Sequence, residues 1–244
     1  MDGPRTAIVT GAGKRVGAAI AQALVVDGWS VVAHVRRDSD AVPDGAVKVV
    51  ADLADAGCAD RIFEAAAALP PMRLLVNNAA RFAWDDLAGF DAKEFDSHMA
   101  VNVRAPLLLM KAFAAVREHR RDDQVVNILD AKLAAPNPDF LSYTLSKQAL
   151  AGASELAARA LASQGIRVNG IAPSLMLHSP GQSDENFAAM HRANPLQRGV
   201  ELEDVVAALR YLIAAPAVTG QTLTIDGGQR FWSLERDVQF LEKS

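Results

Sequence analysis

The sequence is poor in the features that would place a protein outside a reducing, aqueous compartment. Its 244 residues include a single cysteine, Cys58, so no disulfide can form within the chain. No apolar run approaches the roughly 20 residues that a membrane-spanning helix needs. The first residues lack the charged start, apolar run and cleavage site of a signal peptide. We therefore expect a cytoplasmic protein that has no membrane partner.

Positive charge is scarce as well. Twenty-five Lys and Arg residues stand against 29 Asp and Glu residues, and the net charge of −4 leaves no broad basic face for nucleic acid. The histidines that we considered as metal ligands show no ligand-like pairing, and we predict no metal site from them: His98, His119, His178 and His191. The overall composition is typical of a soluble globular protein. We expect one domain over residues 1–244 that binds a small molecule.

Short β-branched runs alternate along the chain with longer stretches rich in Ala and Leu. The runs predict strands at Thr6–Thr10, Ser30–Val35, Ala46–Val50, Leu74–Asn77, Gln124–Leu129, Ile166–Ile171 and Gln221–Ile225. The stretches between them predict helices at Val16–Asp27, Ala59–Leu69, Lys93–His119 (bent at Pro106), Leu141–Ser163 and Glu201–Ala214.

The strand runs are nearly continuous in Val, Ile and Leu, which is typical of strands that are buried on both faces. Strand and helix alternation favours parallel pairing with right-handed crossovers. The sequence therefore predicts an α/β fold of the Rossmann type, a doubly wound parallel sheet of about seven strands with helices on both faces. The least regular segment, residues 174–194, follows the carboxyl end of a strand and is predicted to be a substrate lid.

A turn of small residues joins the first strand to the first helix. The small side chains let the backbone approach a pyrophosphate, and the helix start supplies free N–H groups and a positive dipole end. This strand, turn and helix context is what the dinucleotide fingerprint requires. We predict that the cofactor contacts Gly11, Gly13, Lys14, Arg15, Val16 and Gly17.

The residues after the second strand indicate which dinucleotide binds. An NAD site carries a carboxylate at the end of this strand, whereas this chain has His34, Arg36 and Arg37 there. Guanidinium groups pair with phosphate oxygens in a fork, so these donors, together with Arg15, favour the 2′-phosphate of NADP(H). A solvated basic loop is the alternative, and Asp38 and Asp40 lie close enough to weaken the cluster.

Tyr143 and Lys147 are four residues apart at the start of a predicted helix and so share one of its faces. A phenol is a poor acid near neutral pH, with an unperturbed pKa of about 10, but a nearby ammonium stabilises the phenolate. The pair is therefore a plausible proton donor to the acceptor of a hydride. The Tyr-x-x-x-Lys spacing alone is common and carries little weight.

Three further motifs accompany the glycine turn and the Tyr-Lys pair: Asn77-Asn78-Ala79, Asn102, and Asp226-Gly227-Gly228. In order and spacing the chain resembles the short-chain dehydrogenase/reductase family over nearly its whole length. The resemblance implies that Tyr143 donates the proton, Lys147 binds the nicotinamide ribose, and Asn102 holds a water in a proton relay. It also implies cofactor contacts from Asp52, Leu53, Asn78, Ala79, Ala80, Pro173, Ser174 and Leu175, and places Thr219 at the nicotinamide end.

Two departures from the family pattern bear on the substrate. Arg15 replaces the middle glycine of the turn, and Asp130 stands thirteen residues before the tyrosine, where a serine is usual. Together with His34 and Arg37 these changes resemble the pteridine reductase branch, which includes bacterial dihydromonapterin reductases. The segment from Asn78 to Phe82 also resembles that branch, in which a phenylalanine stacks on the pterin. The predicted substrate contacts are Arg81, Phe82, Asp130, Tyr143 and Met176.

The carboxylate of Asp130 changes the chemistry of the site. An ionised carboxylate only accepts hydrogen bonds, so it repels the alkoxide of ketone reduction and raises the pKa of Tyr143. A C=N substrate, whose nitrogen takes up a proton, tolerates such a group better. A cap at a strand end remains the alternative role for Asp130, and simple packing remains the alternative for Phe82.

Three functions stay open on these grounds. The first is a pteridine reductase, the second a carbonyl reductase of keto or quinone substrates with Asp130 as a tolerated variant, and the third a non-catalytic regulatory protein that binds NADPH. The resemblance also implies a homotetramer assembled through Lys93–His119 and Leu141–Ser163. Because it is rich in apolar residues, the tail from Arg230 to Ser244 is a candidate cover for a neighbouring subunit's pocket.

Overall fold

The computed structural model describes residues 3–116, 122–179, 181–232 and 234–241, and seven strands in it form one parallel sheet. The sheet order is β3-β2-β1-β4-β5-β6-β7, and each neighbouring pair is parallel. The strands are β1 Thr6–Thr10, β2 Ser30–Val35, β3 Val47–Val50, β4 Met72–Asn77, β5 Asp123–Ile128, β6 Ile166–Pro173 and β7 Thr222–Ile225. The predicted Rossmann-type sheet is confirmed.

Helices cover both faces of this sheet, since successive strand residues point to opposite sides and both sides are apolar. Ile8 packs into one core layer with Phe113, while its neighbours Ala7 and Val9 pack into the other with Leu209. The helices are α1 Arg15–Val26, α2 Cys58–Ala66, α3 Ala92–Met99, α4 Ala105–Val116, α5 Leu141–Leu161, α6 Asp184–His191 and α7 Leu202–Ala214.

The long helix predicted at Lys93–His119 is interrupted. A π-helical segment, Ala100–Arg104, separates α3 from α4, and Ala105 N–H bonds back to Ala100 O. Pro106 follows directly; it has no N–H to give to the carbonyl of residue 102, so a regular α ladder cannot pass this point. The irregularity therefore lies just before the proline, and the predicted end of the helix at 117–119 falls outside the described residues.

The segment 174–194 is less irregular than predicted, because it contains α6. Ser183 caps this helix by accepting a hydrogen bond from Asn186 N–H at 3.1 Å, and two acidic residues occupy its first turn. That Ser-Asp-Glu start is a recognisable N-terminal signal. Most other boundaries differ from prediction by one or two residues; α2 is the larger exception, since it ends at Ala66 and not at Leu69.

Candidate active site

A cleft with a volume of about 710 Å³ lies at the carboxyl ends of the strands. This is where doubly wound sheets bind ligands, because the strand order reverses there between β1 and β4. Asn102 and Thr219 do not line the cleft, but the other predicted site residues do: Gly11, Gly13, Lys14, Arg15, Val16, Gly17, His34, Arg36, Arg37, Asp52, Leu53, Asn78, Ala79, Ala80, Arg81, Phe82, Asp130, Tyr143, Lys147, Pro173, Ser174, Leu175 and Met176.

The glycine turn is held tightly against the end of β4. Gly11 has φ +67°, in the left-handed region, and its N–H bonds to His34 Nδ1 at 3.1 Å. Asn78 Nδ2 donates to the carbonyl of Thr10 at 2.8 Å. A Cβ on Gly17 would lie 2.2 Å from Gly11 O, so only glycine lets α1 begin this close to the turn.

The start of α1 is open to the cleft. Lys14 occupies the N-cap position but makes no side-chain cap hydrogen bond. The first backbone N–H groups of an α-helix have no acceptor within the helix, and they carry the positive end of its dipole. Arg15 begins the helix with φ 54°, a conformation that favours glycine, and its guanidinium donates to His178 O at 3.0 Å. Arg15 therefore ties the turn to the segment 174–194.

The structure corrects the role expected of His34. Its Nδ1 accepts from Gly11 N–H, and its Nε2 donates to Ala51 O at 3.0 Å. Burial lowers the pKa of the imidazole, so the ring is neutral and both nitrogens are engaged. The His34 ring therefore bridges the glycine turn and the end of β3 through two hydrogen bonds, and it has no N–H donor left for a phosphate. Of the residues predicted to face a 2′-phosphate, only the arginines keep free donors after this correction.

Arg36 and Arg37 are exposed at the end of β2 and line the cleft. The acidic residues that could weaken them have other partners among the described residues. Asp40 accepts from the backbone N–H of Arg37 at 3.2 Å, and Asp38 pairs with Lys48 at 3.2 Å. The two guanidinium groups are therefore free of carboxylate partners in the described part of the chain.

Asp52 lies across the cleft from this pair of arginines, at the end of β3. Its side chain is exposed, and Oδ1 accepts from Ala54 N–H at 2.9 Å in a turn that fixes its position. The neighbouring Leu53 is buried in the core layer with Ile62. One wall of this end of the cleft is thus apolar, with a carboxylate beside it, which suits the edge of an adenine ring.

The reacting end of the cleft holds a short hydrogen-bonded chain. Tyr143, on the first turn of α5, donates to Asp130 Oδ2 at 2.8 Å. Asp130 Oδ1 accepts from Lys132 N–H at 2.8 Å and so caps a 3₁₀ turn at Ala131–Ala134. One carboxylate oxygen of Asp130 thus caps the 3₁₀ turn, and the other accepts from the tyrosine, while its contact with a substrate stays a prediction.

Burial and the paired charges shift the acidity of these groups. Burial raises the pKa of Asp130, and burial together with Asp130 raises the pKa of Tyr143 well above its ordinary value. Burial lowers the pKa of Lys147 to about 8, although Asp130 opposes the change. Lys147 Nζ donates to Ile128 O at 2.6 Å and lies 5.8 Å from the Tyr143 ring centroid. The phenol therefore keeps its proton near neutral pH.

Asn102 supports the cleft wall from behind. It is fully buried in the π-helical segment; Oδ1 accepts from Arg81 N–H at 2.7 Å, while Nδ2 donates to Arg81 O at 3.0 Å and Ser146 Oγ at 2.8 Å. The side-chain amide therefore has all its groups engaged in hydrogen bonds that hold the backbone of Arg81 next to α5. The π-helical segment is what turns this side chain toward both partners, as such segments often do near sites.

Arg81 lines the cleft, but its guanidinium is engaged elsewhere. It forms a bidentate ion pair with Glu94 on α3, with N–O distances of 2.6 and 2.7 Å, and this pairing raises the pKa of the guanidinium. The predicted substrate contact from Arg81 is therefore corrected to a contact of its backbone at most. Met176 lines the opposite wall, where it also packs against the core layer of Val9.

Phe82 belongs to an aromatic column beside Tyr143. Its ring stacks on Phe140 with centroids 4.5 Å apart and meets the edge of Tyr143 at 4.7 Å. The side chain nevertheless keeps 39% of its surface exposed, in the wall of the cleft. One ring face is thus packed, and an exposed aromatic surface remains that a flat ligand can stack on.

Sequence reasoning missed the contribution of the C-terminal tail. Within the described residues, Trp232, Leu234, Asp237 and Val238 line the cleft of this same chain. These residues fold onto their own chain, and the contact of the tail with a neighbouring subunit's pocket stays a prediction. Residues 233 and 242–244 lie outside the described part. No local sequence signal marks this contact, since it joins residues about a hundred positions apart.

Thr219 is a second correction. Its hydroxyl accepts from Val168 N–H at 3.1 Å near the start of β6, at the edge of the sheet opposite the cleft. Pro173, by contrast, ends β6 in the cleft wall, and Ser174 N–H bonds to Ile225 O at 2.9 Å. A position at the amino end of a parallel strand cannot reach the nicotinamide end of the cleft.

The described residues contain no group of three or more His, Cys, Asp or Glu side chains arranged to hold a metal ion. Within them there is also no helix of sufficient length and apolar character to cross a membrane.

Comparison with known proteins places these features in a family. Residues 11–230 match the family model described as enoyl-(acyl carrier protein) reductase. Pteridine reductase 1 of Leishmania tarentolae is 32% identical over 91% of this chain and 95% of its own. FolM alternative dihydrofolate reductase 1 from Brucella canis, solved with NADP, is 36% identical with TM-score 0.88 over 95% of this chain and 96% of its own. That from Brucella suis, also with NADP, is 36% identical with TM-score 0.87 over 93% and 95%. The chain therefore belongs to the short-chain dehydrogenase/reductase family of oxidoreductases.

Proposed function

We propose that this protein is an NADPH-dependent reductase that transfers a hydride to a dihydropterin. The observation that carries the proposal is the bond from Tyr143 to Asp130 beside the exposed ring of Phe82. A proton donor, a hydrogen-bond acceptor and a stacking surface thus line one end of the cleft. The kinship with a pteridine reductase and with two proteins named alternative dihydrofolate reductases supports the choice.

The residues present fit an NADP molecule. The turn at Gly11 and Gly17 has no room for a Cβ, which suits close approach of a pyrophosphate to the backbone and the start of α1. Arg36 and Arg37 would hold the 2′-phosphate at the end of β2, and Asp52 would lie beside the adenine. Lys147 would bind the nicotinamide ribose at the other end. When bound, NADPH supplies the hydride that reduces the carbon of a C=N bond.

Side chains of the protein hold the proton and deliver it to the substrate. Tyr143 Oη holds it against Asp130 Oδ2, and the substrate nitrogen takes it as the carbon is reduced. The ammonium of Lys147, lying near the ring, stabilises the phenolate that remains. Asp130 Oδ2 then loses its donor and is free to accept one from an amino group of the substrate. The carboxylate is therefore useful with an N–H-bearing heterocycle, where it would oppose an alkoxide.

A carbonyl reductase is the second candidate, and one observation favours it. Asp130 Oδ1 caps the 3₁₀ turn through Lys132 N–H, a role that would keep an aspartate here whatever the substrate. On this reading the pair with Tyr143 is tolerated and has no part in recognition. The third possibility, an NADPH-binding protein without turnover, has no observation in its favour, because Tyr143 and Lys147 are both present in the cleft.

Turnover decides between these functions. NADPH oxidation would be followed at 340 nm with 7,8-dihydropterins and, separately, with a panel of ketones and quinones. Reduction of the dihydropterins with a kcat/KM well above that for every carbonyl compound is the expected result. Reduction of ketones or quinones alone would establish the carbonyl reductase instead. Tight NADPH binding without any turnover would establish the non-catalytic function.

We also propose that the enzyme is a cytoplasmic homotetramer. Three leucines on α4 and α5 support an assembly through these helices, since each is large, apolar and exposed: Leu107 (45%), Leu145 (41%) and Leu156 (69%). Multi-angle light scattering of the purified protein measures the assembly directly, and a monomer at micromolar concentration would contradict it.

A further inference from the structure

The C-terminal strap, residues 234–241, lies across the substrate end of the cleft and is fastened there by charge. Two guanidinium nitrogens of Arg236 donate to the two carboxylate oxygens of Asp139 at 2.8 and 2.9 Å. The backbone N–H of Asp237 donates to the same carboxylate at 2.8 Å. The Asp139 side chain is only 4% exposed, whereas that of Arg236 is 51% exposed, so the carboxylate is shielded from water and the guanidinium covers it from the solvent side. Phe240 stacks on Phe140 with centroids 6.1 Å apart. The strap thus has one defined position over the cleft.

The strap brings a second carboxylate into the substrate end. Asp237 lines the cleft together with Asp130 and Tyr143, and 19% of its side chain is exposed. Lys132 links the two carboxylates, because its backbone N–H bonds to Asp130 Oδ1 and its Nζ lies 3.2 Å from Asp237 Oδ2. Residues 130 and 237 are therefore positioned on opposite sides of one lysine, although they are far apart in the chain.

Asp237 has acceptor capacity that the protein does not use. Oδ1 accepts from Gln239 N–H at 3.2 Å, and Oδ2 accepts from Lys132. A carboxylate offers about four acceptor sites, so roughly two remain. Lys132 Nζ also donates to Asp139 O at 2.5 Å, which leaves less of its hydrogen-bonding capacity for Asp237. A wall with a carboxylate of this kind suits a ligand that presents several N–H donors, and opposes one that presents only carbonyl oxygens.

We propose that Asp237 is a specificity-determining residue that accepts hydrogen bonds from the amino group and ring N–H of the bound heterocycle. This inference rests on the proposed function and narrows its substrate class. Asp237 would favour rings that carry an amino group beside a ring N–H over rings that carry an oxo group at the same position. Asp130 and Asp237 then contact donors at two places on one flat ring, while Phe82 stacks on its face. The strap is what completes the site.

Asp237→Asn tests the proposal with two matched substrates. One is a 7,8-dihydropterin, and the other is its 7,8-dihydrolumazine analogue, in which an oxo group replaces the 2-amino group. We expect KM for the dihydropterin to rise at least about tenfold in the variant, because a charge-assisted bond is replaced by a neutral one. KM for the oxo analogue is expected to change by less than about threefold, with kcat little altered for either. Equal changes for the two substrates would overturn the proposal.

Two control variants separate recognition from a merely structural role. Arg236→Ala loosens the strap that carries Asp237, so it should raise KM for the dihydropterin more than for the oxo analogue, but by less than Asp237→Asn does. Arg210→Ala removes an exposed bidentate ion pair with Asp27, in which both N–O distances are 2.8 Å. This pair lies far from the cleft, so its loss should change neither KM. A loss of amino selectivity that is largest in Asp237→Asn, smaller in Arg236→Ala and absent in Arg210→Ala is the result expected of a recognition residue.

Failure of the proposed function would be seen separately. Wild-type turnover of the dihydropterin reports on the proposed function, whereas the change in selectivity reports on Asp237. Should the wild type turn over neither analogue, their dissociation constants measured by calorimetry in the presence of NADPH still decide the matter. Asp237→Asn must then weaken the amino analogue at least about threefold more than the oxo analogue, and any smaller difference refutes the inference.

Discussion

Tyr143 Oη and Asp130 Oδ2 lie 2.8 Å apart, with the phenol donating to the carboxylate. The bond places an acceptor where a hydroxyl donor usually stands in the family that the chain belongs to. It also raises the pKa of Tyr143 and, in concert with burial, keeps the phenol protonated in the free enzyme. Most of the differences expected between this protein and a ketone reductase follow from this one contact.

Replacing the carboxylate with the usual hydroxyl is the direct test of that view. Asp130→Ser should lower kcat/KM for a dihydropterin by about 10- to 100-fold, because an acceptor for the substrate amino group is lost. Activity toward a ketone should stay constant or rise. Steady-state kinetics on both substrates measure the two effects, and unchanged dihydropterin kinetics would remove Asp130 from the mechanism.

The dependence of activity on pH should report Lys147. Its pKa in the folded protein is lowered to about 8, so the ammonium loses its proton, and its charge, as the pH rises through that value. We expect kcat/KM to fall above an apparent pKa near 8, since a neutral amine no longer stabilises the Tyr143 phenolate.

Asp130→Asn should move this falling limb to lower pH. The negative charge of Asp130 raises the pKa of Lys147, and its removal takes that stabilisation of the ammonium away. Profiles of kcat/KM from pH 6 to 10 for both proteins check the sign. A limb that stays in place, or moves to higher pH, would show that another group controls it.

Arg37 is expected to distinguish the two nicotinamide cofactors. Arg37→Ala should raise the Kd for NADPH by about tenfold or more and leave the Kd for NADH within about twofold, because only NADPH carries a 2′-phosphate. Arg61→Ala is a matched control, since Arg61 is an exposed arginine on α2 paired with Asp55 at 3.1 Å. Fluorescence titration measures both constants, and equal losses for the two cofactors would refute the assignment.

His34 should behave differently from Arg37, because it positions the glycine turn and has no free donor. His34→Ala leaves Gly11 N–H and Ala51 O without their partners, at a cost of about 1–3 kcal/mol for the buried Ala51 O and less for the partly exposed Gly11 N–H. We expect a lower melting temperature and equal weakening of NADPH and NADH. His34→Gln, which can both donate and accept, should recover part of the loss. A defect confined to NADPH would restore His34 as a phosphate ligand.

Asn102 should matter for stability as well as activity. Asn102→Ala strips hydrogen bonds from both backbone groups of Arg81 and from Ser146 Oγ, and should lower the free energy of unfolding by about 2–4 kcal/mol. Asn102→Asp keeps the acceptor for Arg81 N–H but loses both donors, so its effect should be of similar size. Urea denaturation measures the change, and a loss below about 1 kcal/mol would contradict the clamp.

Residue types and spacing were enough to predict the sheet, its parallel pairing and the glycine turn. Strand periodicity and turn chemistry are local properties, and the chain expresses them at Thr6–Thr10 and from Gly11 to Gly17. The same holds for Tyr143 and Lys147, since a spacing of four residues on a helix places both on one face. Asp130 was found by its fixed distance from the tyrosine.

Hydrogen-bond partners were beyond the reach of the sequence. His34 and Arg81 have the residue types of ligands. Yet Gly11 N–H and Ala51 O occupy the two ring nitrogens of His34, and Glu94 accepts from the guanidinium of Arg81. Which partner a polar side chain finds depends on groups that folding brings near it, and those groups carry no local signal.

The sequence by itself determined the architecture and the reacting pair, because local residue patterns signal both, namely the alternation of strand and helix and the spacing of Tyr143 and Lys147. Only the tertiary structure decided which residues complete the substrate end. Asp237 meets Lys132, and Arg236 meets Asp139, across about a hundred residues. Such contacts form because the strap packs over the cleft of a sheet that is already assembled, and no pattern in the strap itself specifies that position.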